Sequence, residues 1–92
     1  MAPREGSRFV PTPSVYARAF GEELVLLDFG KGEYFGLDPI GAAIWRQVEA
    51  GADVKAIVDH LVAAYDVERE RAEADTVALL THMCDASLLR EV

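Results

Sequence analysis

Residues 23–38, Glu-Leu-Val-Leu-Leu-Asp-Phe-Gly-Lys-Gly-Glu-Tyr-Phe-Gly-Leu-Asp, decide the fold of this 92-residue chain. They predict two strands, Glu23–Asp28 and Glu33–Leu37, joined by the glycine-containing turn Phe29–Gly32. The first strand is apolar on both faces, which is typical of a strand in the middle of a sheet. The second strand is short, begins with a charge and contains Gly36, which is typical of a sheet edge.

A further strand precedes this hairpin. Ser14–Phe20 alternates in part between smaller apolar side chains and larger ones, which predicts a strand that comes before the hairpin in the chain. Together with the hairpin it forms an antiparallel meander of three strands. Phe9–Pro13 is expected to be extended, because proline disfavours helical geometry at the residue before it. Residues 1–8 are polar and predict a flexible tail, so the folded domain is expected to span residues 9–92.

Three helical segments follow the sheet, and each begins after an aspartate that can accept hydrogen bonds from free backbone amides. These aspartates are Asp38, Asp53 and Asp66. Pro39 favours a helix start at the first of them, and Gly51 is placed to end that helix in a left-handed conformation. The third helix is expected to run to about Ala86, and Ser87–Leu89 closes the domain. The sequence therefore predicts an α+β fold with a winged-helix-like arrangement, in which a three-stranded antiparallel sheet precedes three helices.

The charge balance and composition limit the classes of function. The chain carries 16 Asp and Glu against 9 Lys and Arg, whereas nucleic-acid binders concentrate basic side chains on one face. A single cysteine excludes an intramolecular disulfide and suits a reducing compartment. No apolar run approaches the roughly 20 residues of a membrane-spanning helix, and a signal peptide's apolar core is missing. We therefore expect a cytoplasmic protein that binds neither nucleic acid nor membranes.

Residues with catalytic or metal-binding chemistry are few. His82 and Cys84 are two positions apart on the predicted third helix, so their side chains diverge by roughly 200° and do not form a nucleophile–base pair. His60 is distant in sequence, and two histidines with one cysteine do not make a zinc-binding spacing. Helix capping explains the three aspartates that precede helices. We expect no catalytic residue, no metal site and no cofactor.

The third helix has a wider apolar surface than one core-facing stripe requires. Val77 and Cys84 lie roughly 100° to one side of the core stripe, next to Leu80. Asp75 and His82 lie on the opposite flank. Two interpretations stay open. Either both flanks pack on neighbouring helices, since broad apolar arcs are common in globular proteins, or the Val77 flank lines a groove beside the sheet edge.

A sheet followed by three helices is compatible with three kinds of function. A winged-helix DNA-binding regulator needs a basic recognition helix, but the predicted third helix has more acidic than basic residues. An exposed strand edge can instead bind an extended peptide as an additional strand, with backbone hydrogen bonds supplying affinity and neighbouring pockets supplying specificity. The third possibility is a structural interaction module or a free subunit of a larger enzyme. The charge favours the peptide-binding interpretation over the DNA-binding one.

Several short motifs, in their order and spacing, resemble the PqqD-like family over roughly residues 9–89. They are Val-Leu-Leu-Asp at 25–28, Gly-Glu-Tyr-Phe-Gly-Leu-Asp at 32–38, Gly-Ala-Ala-Ile-Trp at 41–45, Tyr-Asp-Val at 65–67 and Asp-Thr-Val at 75–77. Members of this family recognise the leader segments of ribosomally made, modified peptides, and leaders dock along the third strand beside the third helix. The hairpin differs from that of the pyrroloquinoline quinone pathway's own member. It is more similar to the stand-alone recognition proteins of lasso-peptide clusters.

The resemblance implies a function and a set of site residues. A leader would pair antiparallel with the backbone of Glu33–Leu37, and its apolar side chains would enter a groove between that strand and the third helix. The residues expected to bind the peptide are Glu33, Tyr34, Phe35, Gly36 and Leu37 on the strand, and Glu73, Asp75, Val77, Leu80 and Cys84 on the helix. The phase of the strand stays open, so Tyr34 and Phe35 are both candidates for the groove. The expected partner is a leader peptidase, or another modifying enzyme of the same pathway, and the protein itself is expected not to be an enzyme.

Overall fold

The computed structural model describes residues 3–92, and in this part of the chain five strands and three helices follow one another. They are β1 (Phe9–Pro11), β2 (Val15–Phe20), β3 (Glu23–Asp28), β4 (Glu33–Leu37), α1 (Pro39–Glu49), α2 (Val54–Ala64), α3 (Arg69–Asp85) and β5 (Leu89–Glu91). The predicted hairpin is confirmed at both strands, and the predicted first strand begins one residue after Ser14. The α+β class, with a three-stranded antiparallel sheet and three helices, is confirmed.

The central strand of the main sheet is β3, because the strand order is β2-β3-β4. Burial alternates along it, as expected when successive side chains point to opposite faces. The buried side chains are Leu24, Leu26 and Asp28, and the half-buried ones are Val25 and Leu27. Leu26 lies opposite Ala17 of β2 and Phe35 of β4. The sheet therefore has an inner face towards the helices and an outer face on which the side chains of β2 and β4 are exposed.

The turn between β3 and β4 is organised by the buried carboxylate of Asp28. Its Oδ1 accepts hydrogen bonds from Ser14 Oγ at 3.0 Å, from the Gly30 amide at 3.0 Å and from the Lys31 amide at 3.3 Å. Gly30 suits this close approach, because a Cβ there would lie 3.2 Å from Ser14 Oγ and 3.3 Å from Asp28 Oδ1. Gly32 has a φ of 67°, which glycine adopts without strain. These contacts hold the turn in one shape and position the start of β4.

Two of the three predicted helix caps are confirmed. Asp38 Oδ1 accepts a hydrogen bond of 2.8 Å from the Gly41 amide at the start of α1. Asp53 Oδ1 accepts one of 2.9 Å from the Ala56 amide at the start of α2. Gly51, which follows α1, has a φ of 86° and so has the predicted left-handed conformation. The ends of the first two helices are thus determined by local sequence.

The predicted cap of the third helix is wrong. Helix α3 begins at Arg69, its N-cap is Glu68, and no side-chain hydrogen bond forms at the cap. Asp66 lies two residues before that cap, because the half-buried Val67 packs against the core before the helix begins. The helix ends at Asp85, one residue before the predicted end.

A second, two-stranded sheet pairs β1 with β5. The sequence predicts an extended segment at Phe9–Pro13 and a closing segment at Ser87–Leu89, but not the pairing between them. Phe9 and Leu89 from this small sheet are buried in the core. Before β1, the carbonyls of Glu5 and Ser7 accept hydrogen bonds from two amides at the start of α2. The flexibility of residues 1–8 stays a prediction, and residues 1 and 2 lie outside the described part of the chain.

The helices form the core with the inner face of the sheet. Its largest fully buried side chains are Trp45, Leu26, Ile44, Ile57, Leu61, Leu80, Met83, Val48, Val54, Val58 and Thr76. Helix α1 contacts β3 and β4, and α2 packs on α3. At the surface, Arg69 Nη2 lies 2.7 Å from Asp59 Oδ1. Hydrogen bonds from Lys55, and to a smaller extent from Arg69, lower the pKa of the Asp59 carboxyl. Within residues 3–92, none of the helices has the length and hydropathy of a membrane span.

Candidate functional site

Strand β4 is an edge of the main sheet. It pairs with β3 on one side, and no strand of residues 3–92 pairs with its other side. Backbone N–H and C=O groups on such a free edge can bond to an added strand. Phe35 and Leu37 point to the inner face and pack in or against the core, whereas Tyr34 and Gly36 point to the outer face and are exposed. Of the two open candidates for the groove, Phe35 therefore points to the helix side.

A groove runs between β4 and α3 and consists of two cavities that share Phe35. The first has a volume of about 430 Å³ and lies between Glu33–Phe35 and two residues of α3 and its C-cap, His82 and Ala86. The centroids of the Phe35 and His82 rings are 5.2 Å apart. These two side chains therefore bring the strand and the helix together at the middle of the groove.

The second cavity, of about 590 Å³, lies at the Leu37 end of β4. Its apolar lining is Phe35, Leu37, Ile40, Ile44 and Leu79, and its charged lining is Asp38, Arg71 and Asp75. A further cavity of about 250 Å³, between α2 and α3, also has Ile40, Arg71 and Asp75 in its lining. The groove is thus apolar at its base, and it continues past β4 towards the junction of α2 and α3.

Helix α3 presents one stripe of side chains to the groove. The stripe consists of Arg71, Asp75, Leu79, His82 and Ala86. At about 100° per residue these positions fall within an arc of roughly 80°. Among them, only Asp75 belongs to the predicted binding residues. The spacing i, i+4, i+8, i+11, i+15 is the sequence signal that marks this stripe.

The other predicted helix residues are not brought to the groove. Leu80 is 0% exposed and belongs to the core. Val77 and Cys84 lie roughly 180° around the helix from the stripe, and the exposed Glu73 projects from nearly the same side. Cys84 instead lines a separate cavity of about 590 Å³ with Phe9 of β1 and Leu89 of β5. The Asp75 flank of α3 therefore lines the groove, and the Val77 flank, which was predicted to line it, lies on the far side of the helix.

The predicted strand residues all line the groove. Glu33, Tyr34 and Phe35 belong to the lining of the first cavity, and Phe35, Gly36 and Leu37 belong to that of the second. Contact of these residues with a peptide stays a prediction. Strand β4 supplies both the free edge and one wall of the groove. The backbone of an added strand would therefore bond to that edge, and its inward-pointing side chains would enter the groove.

Charged groups border both ends of the groove. At the Leu37 end, Arg71 Nε and Asp75 Oδ2 form an exposed pair at 3.2 Å. At the Glu33 end, Lys31 Nζ donates a hydrogen bond of 2.9 Å to the Ala86 carbonyl, which ties the hairpin turn to the end of α3. Within residues 3–92, no set of three or more His, Cys, Asp or Glu residues is placed to hold a metal ion. The arrangement is that of a binding surface made of backbone, apolar side chains and a charged rim.

The environment of Cys84, on the far side of α3, disfavours its thiolate form. Burial raises the pKa of the Cys84 thiol, and the carboxylates of Glu91 and Asp85 raise it further. Because the unfolded thiol ionises at lower pH than the folded one, the thiol's contribution to stability is present below the unfolded pKa and is lost as the pH rises from there through the higher folded pKa.

At pH 8 we expect Cys84 in the folded protein to react with a disulfide reagent more slowly than a free cysteine does, since the thiolate is the reacting form. Reaction rates in buffer and in denaturant, followed by absorbance, measure this difference. Cys84→Ala is the blank. Equal rates in the folded and denatured protein would contradict the proposed environment.

Comparisons with known proteins identify similar chains. The family model for coenzyme PQQ synthesis protein D (PqqD) matches residues 23–89. The solved structure of TbiB1 in complex with the TbiA(beta) leader peptide is 35% identical, with a TM-score of 0.83 over 87% of this chain and 93% of that chain. A lasso peptide synthetase B1 complexed with the leader peptide is 29% identical, with a TM-score of 0.84 over 90% of this chain and 98% of that one. No curated protein matches the chain in sequence.

Proposed function

This chain belongs to the PqqD family, and from that premise we propose that it binds the leader segment of a ribosomally made precursor peptide and delivers it to a processing enzyme. The two similar solved structures are complexes with leader peptides, one of them of a lasso peptide synthetase component. The observation that carries the proposal is the free edge of β4 beside an apolar groove. The partner enzyme we propose is the leader peptidase of lasso-peptide maturation.

The free edge supplies affinity that does not depend on the leader's side chains. A leader segment running antiparallel to β4 would enter at the Leu37 end and leave at the Glu33 end. Its backbone would bond to the unpaired N–H and C=O groups of the edge strand. Because a strand alternates its side chains, every second residue of the leader would point to the inner face and enter the groove.

The groove supplies the selection between peptides. The apolar base formed by Ile40, Ile44 and Leu79 suits aliphatic or aromatic side chains near the Leu37 end. At the other end, the carboxylate of Glu33 borders the first cavity, where a basic leader residue would be favoured. Such rim charges act mainly on the association rate and its salt dependence.

The protein's own contribution to processing is delivery. The groove consists of backbone edge, apolar side chains and rim charges, which suit holding a peptide. A peptide held on this domain, while the domain is also held by a peptidase, reaches the peptidase at a raised effective concentration. In this proposal the domain is a partner protein that supplies the peptidase with its bound substrate.

The charge of α3 does not favour the DNA-binding alternative. Between Arg69 and Asp85 the helix has four acidic residues, which are Glu70, Glu73, Asp75 and Asp85. Its Lys and Arg residues are Arg69 and Arg71, and Arg71 is paired with Asp75. A recognition helix of this composition would repel the phosphate backbone.

Titration with a leader peptide tests the proposal. The probe is a synthetic leader peptide from a precursor sought among the genes beside the one for this chain, and the readout is the amide shifts of the labelled protein. We expect the largest shifts at Glu33–Leu37 and along the Arg71–Ala86 stripe, because the guest strand bonds to the first and covers the second. A duplex DNA of random sequence at physiological salt serves as the comparison. Absence of shifts along β4 at a saturating leader concentration would overturn the proposal.

A further inference from the structure

The outer face of the main sheet carries a cluster of exposed aromatic side chains on the side away from the groove. We call this cluster the aromatic face. Its members are Tyr16 (57% exposed), Phe20 (63%), Phe29 (70%) and Tyr34 (79%). Val25 and Leu27 of β3 lie between them on the same face and are half-buried. Monomeric proteins seldom expose a contiguous apolar surface of this kind unless another molecule covers it.

The aromatic face has the features of a protein-binding surface. The rings of Tyr16 and Phe29 meet edge to face with centroids 5.3 Å apart, so they are held in place before any partner arrives. Leu27, Phe29 and Tyr34 border a shallow cavity of about 250 Å³. Exposed tyrosine around a small apolar depression is typical of the centre of an interface.

The aromatic face is continuous with the groove. Its cavity and the first groove cavity share Asp28, Gly32, Glu33 and Tyr34, so the two surfaces meet along the start of β4. A leader strand added to β4 would place every second side chain on the outer face, next to Tyr34. The loaded protein would therefore offer a larger outer surface than the empty one, and a partner seated there would contact both the domain and the peptide.

The charge selects the kind of partner. Each copy of the chain carries a net charge of -7, so a symmetric dimer across this face would bring like charges together. Glu22, Glu23 and Glu33 border the aromatic face, and Arg18 of β2 lies on it opposite Val25; all four are exposed, so acidic groups outnumber basic ones there by three to one. This border suits a different protein whose own surface has an apolar depression with a basic rim.

We infer that the aromatic face is the docking surface for the enzyme that processes the bound peptide. The inference rests on the proposed function, because the occupant is the enzyme that must reach the same peptide. The enzyme seated on the outer face would lie beside the Glu33 end of the groove, where a leader antiparallel to β4 leaves it. The rest of the precursor would thus emerge next to the enzyme.

The test uses the full chain with Tyr16→Ser and Phe29→Ser combined, since neither residue borders the groove. The probes are a leader peptidase and its precursor peptide, sought among the genes beside the one for this chain. We expect the leader Kd to stay within about two-fold, and kcat/KM for precursor cleavage to fall by roughly ten-fold or more. Val62→Ser, an apolar residue of α2 that is 37% exposed, is the matched control and should change neither quantity.

The outcomes separate the inference from the proposed function. Unchanged cleavage by the double variant, with leader binding intact, overturns the docking surface and leaves the proposed function standing. A large loss of leader affinity in the variant also overturns it, because the two residues would then belong to the peptide site. Sedimentation showing a wild-type dimer that the variant dissociates assigns the face to a second copy and overturns it. Failure of the wild-type protein to bind the leader overturns the proposed function itself.

Discussion

Leu79→Asp is expected to weaken leader binding by roughly 100-fold, which corresponds to about 2.7 kcal/mol. Leu79 is half-buried and lines the larger cavity of the groove with Ile40 and Ile44. A carboxylate at this position would lose its water when a leader side chain covers it, without gaining a partner. It would also add a like charge one helical turn from Asp75. Calorimetric titration of the synthetic leader into each protein measures the loss.

The matched control for this substitution is Val77→Asp. Val77 is also a half-buried residue of α3 that packs against the core, so both substitutions should destabilise the fold to a similar degree. Val77 lies on the opposite flank of the helix, and we expect Val77→Asp to leave leader affinity within about three-fold of the wild type. Equal losses of affinity in the two folded variants would show that the groove does not bind the leader along this stripe.

Asp28→Ala is expected to lower the free energy of unfolding by about 2–3 kcal/mol, and therefore the melting temperature by roughly 10–20 °C. The substitution removes a buried carboxyl group whose Oδ1 accepts three hydrogen bonds, from Ser14, Gly30 and Lys31. Denaturant unfolding followed by Trp45 fluorescence measures the change. Leader affinity should fall as well, because the turn positions the start of β4.

A graded series identifies the origin of this loss. Ser14→Ala removes one of the three hydrogen bonds and should cost about 1 kcal/mol. Lys31→Met removes the exposed bond to the Ala86 carbonyl but keeps the Lys31 amide, so it should cost less than about 1 kcal/mol. If Asp28→Ala were no more destabilising than Ser14→Ala, the carboxylate would not be the organising group of the turn.

The hairpin at residues 23–38 could be predicted because its signals are local. An apolar run, a glycine-containing turn and a short second strand specify β3 and β4, and both have the predicted bounds. The caps at Asp38 and Asp53 are equally local, since each aspartate bonds to an amide three residues on. Asp66 has the same local signal, but burial of Val67 moves the helix start beyond it.

Two features could not be predicted from local sequence signals. They are the pairing of β1 with β5 and the flank of α3 that lines the groove. Each strand of the small sheet has only three residues, and each is stabilised by a partner about 80 residues away. On α3 the core stripe has an apolar flank at Val77 and Cys84 and a polar flank at Asp75 and His82, and helical periodicity alone does not say which flank meets β4. The apolar flank is the expected wall of a groove, yet its Cys84 lines a separate cavity with residues of β1 and β5.

The sequence by itself determined which strand is central, which strand is the free edge, and where most helices begin, because each of these follows from short-range periodicity and capping. Only the tertiary structure decided which side of α3 meets that edge, because the direction in which a helix crosses a sheet depends on packing between distant segments. The contact between the Phe35 and His82 rings shows which side it is, because it joins β4 to the polar flank of α3. That packing makes Asp75, Leu79 and His82 the wall of the groove and leaves Leu80 in the core.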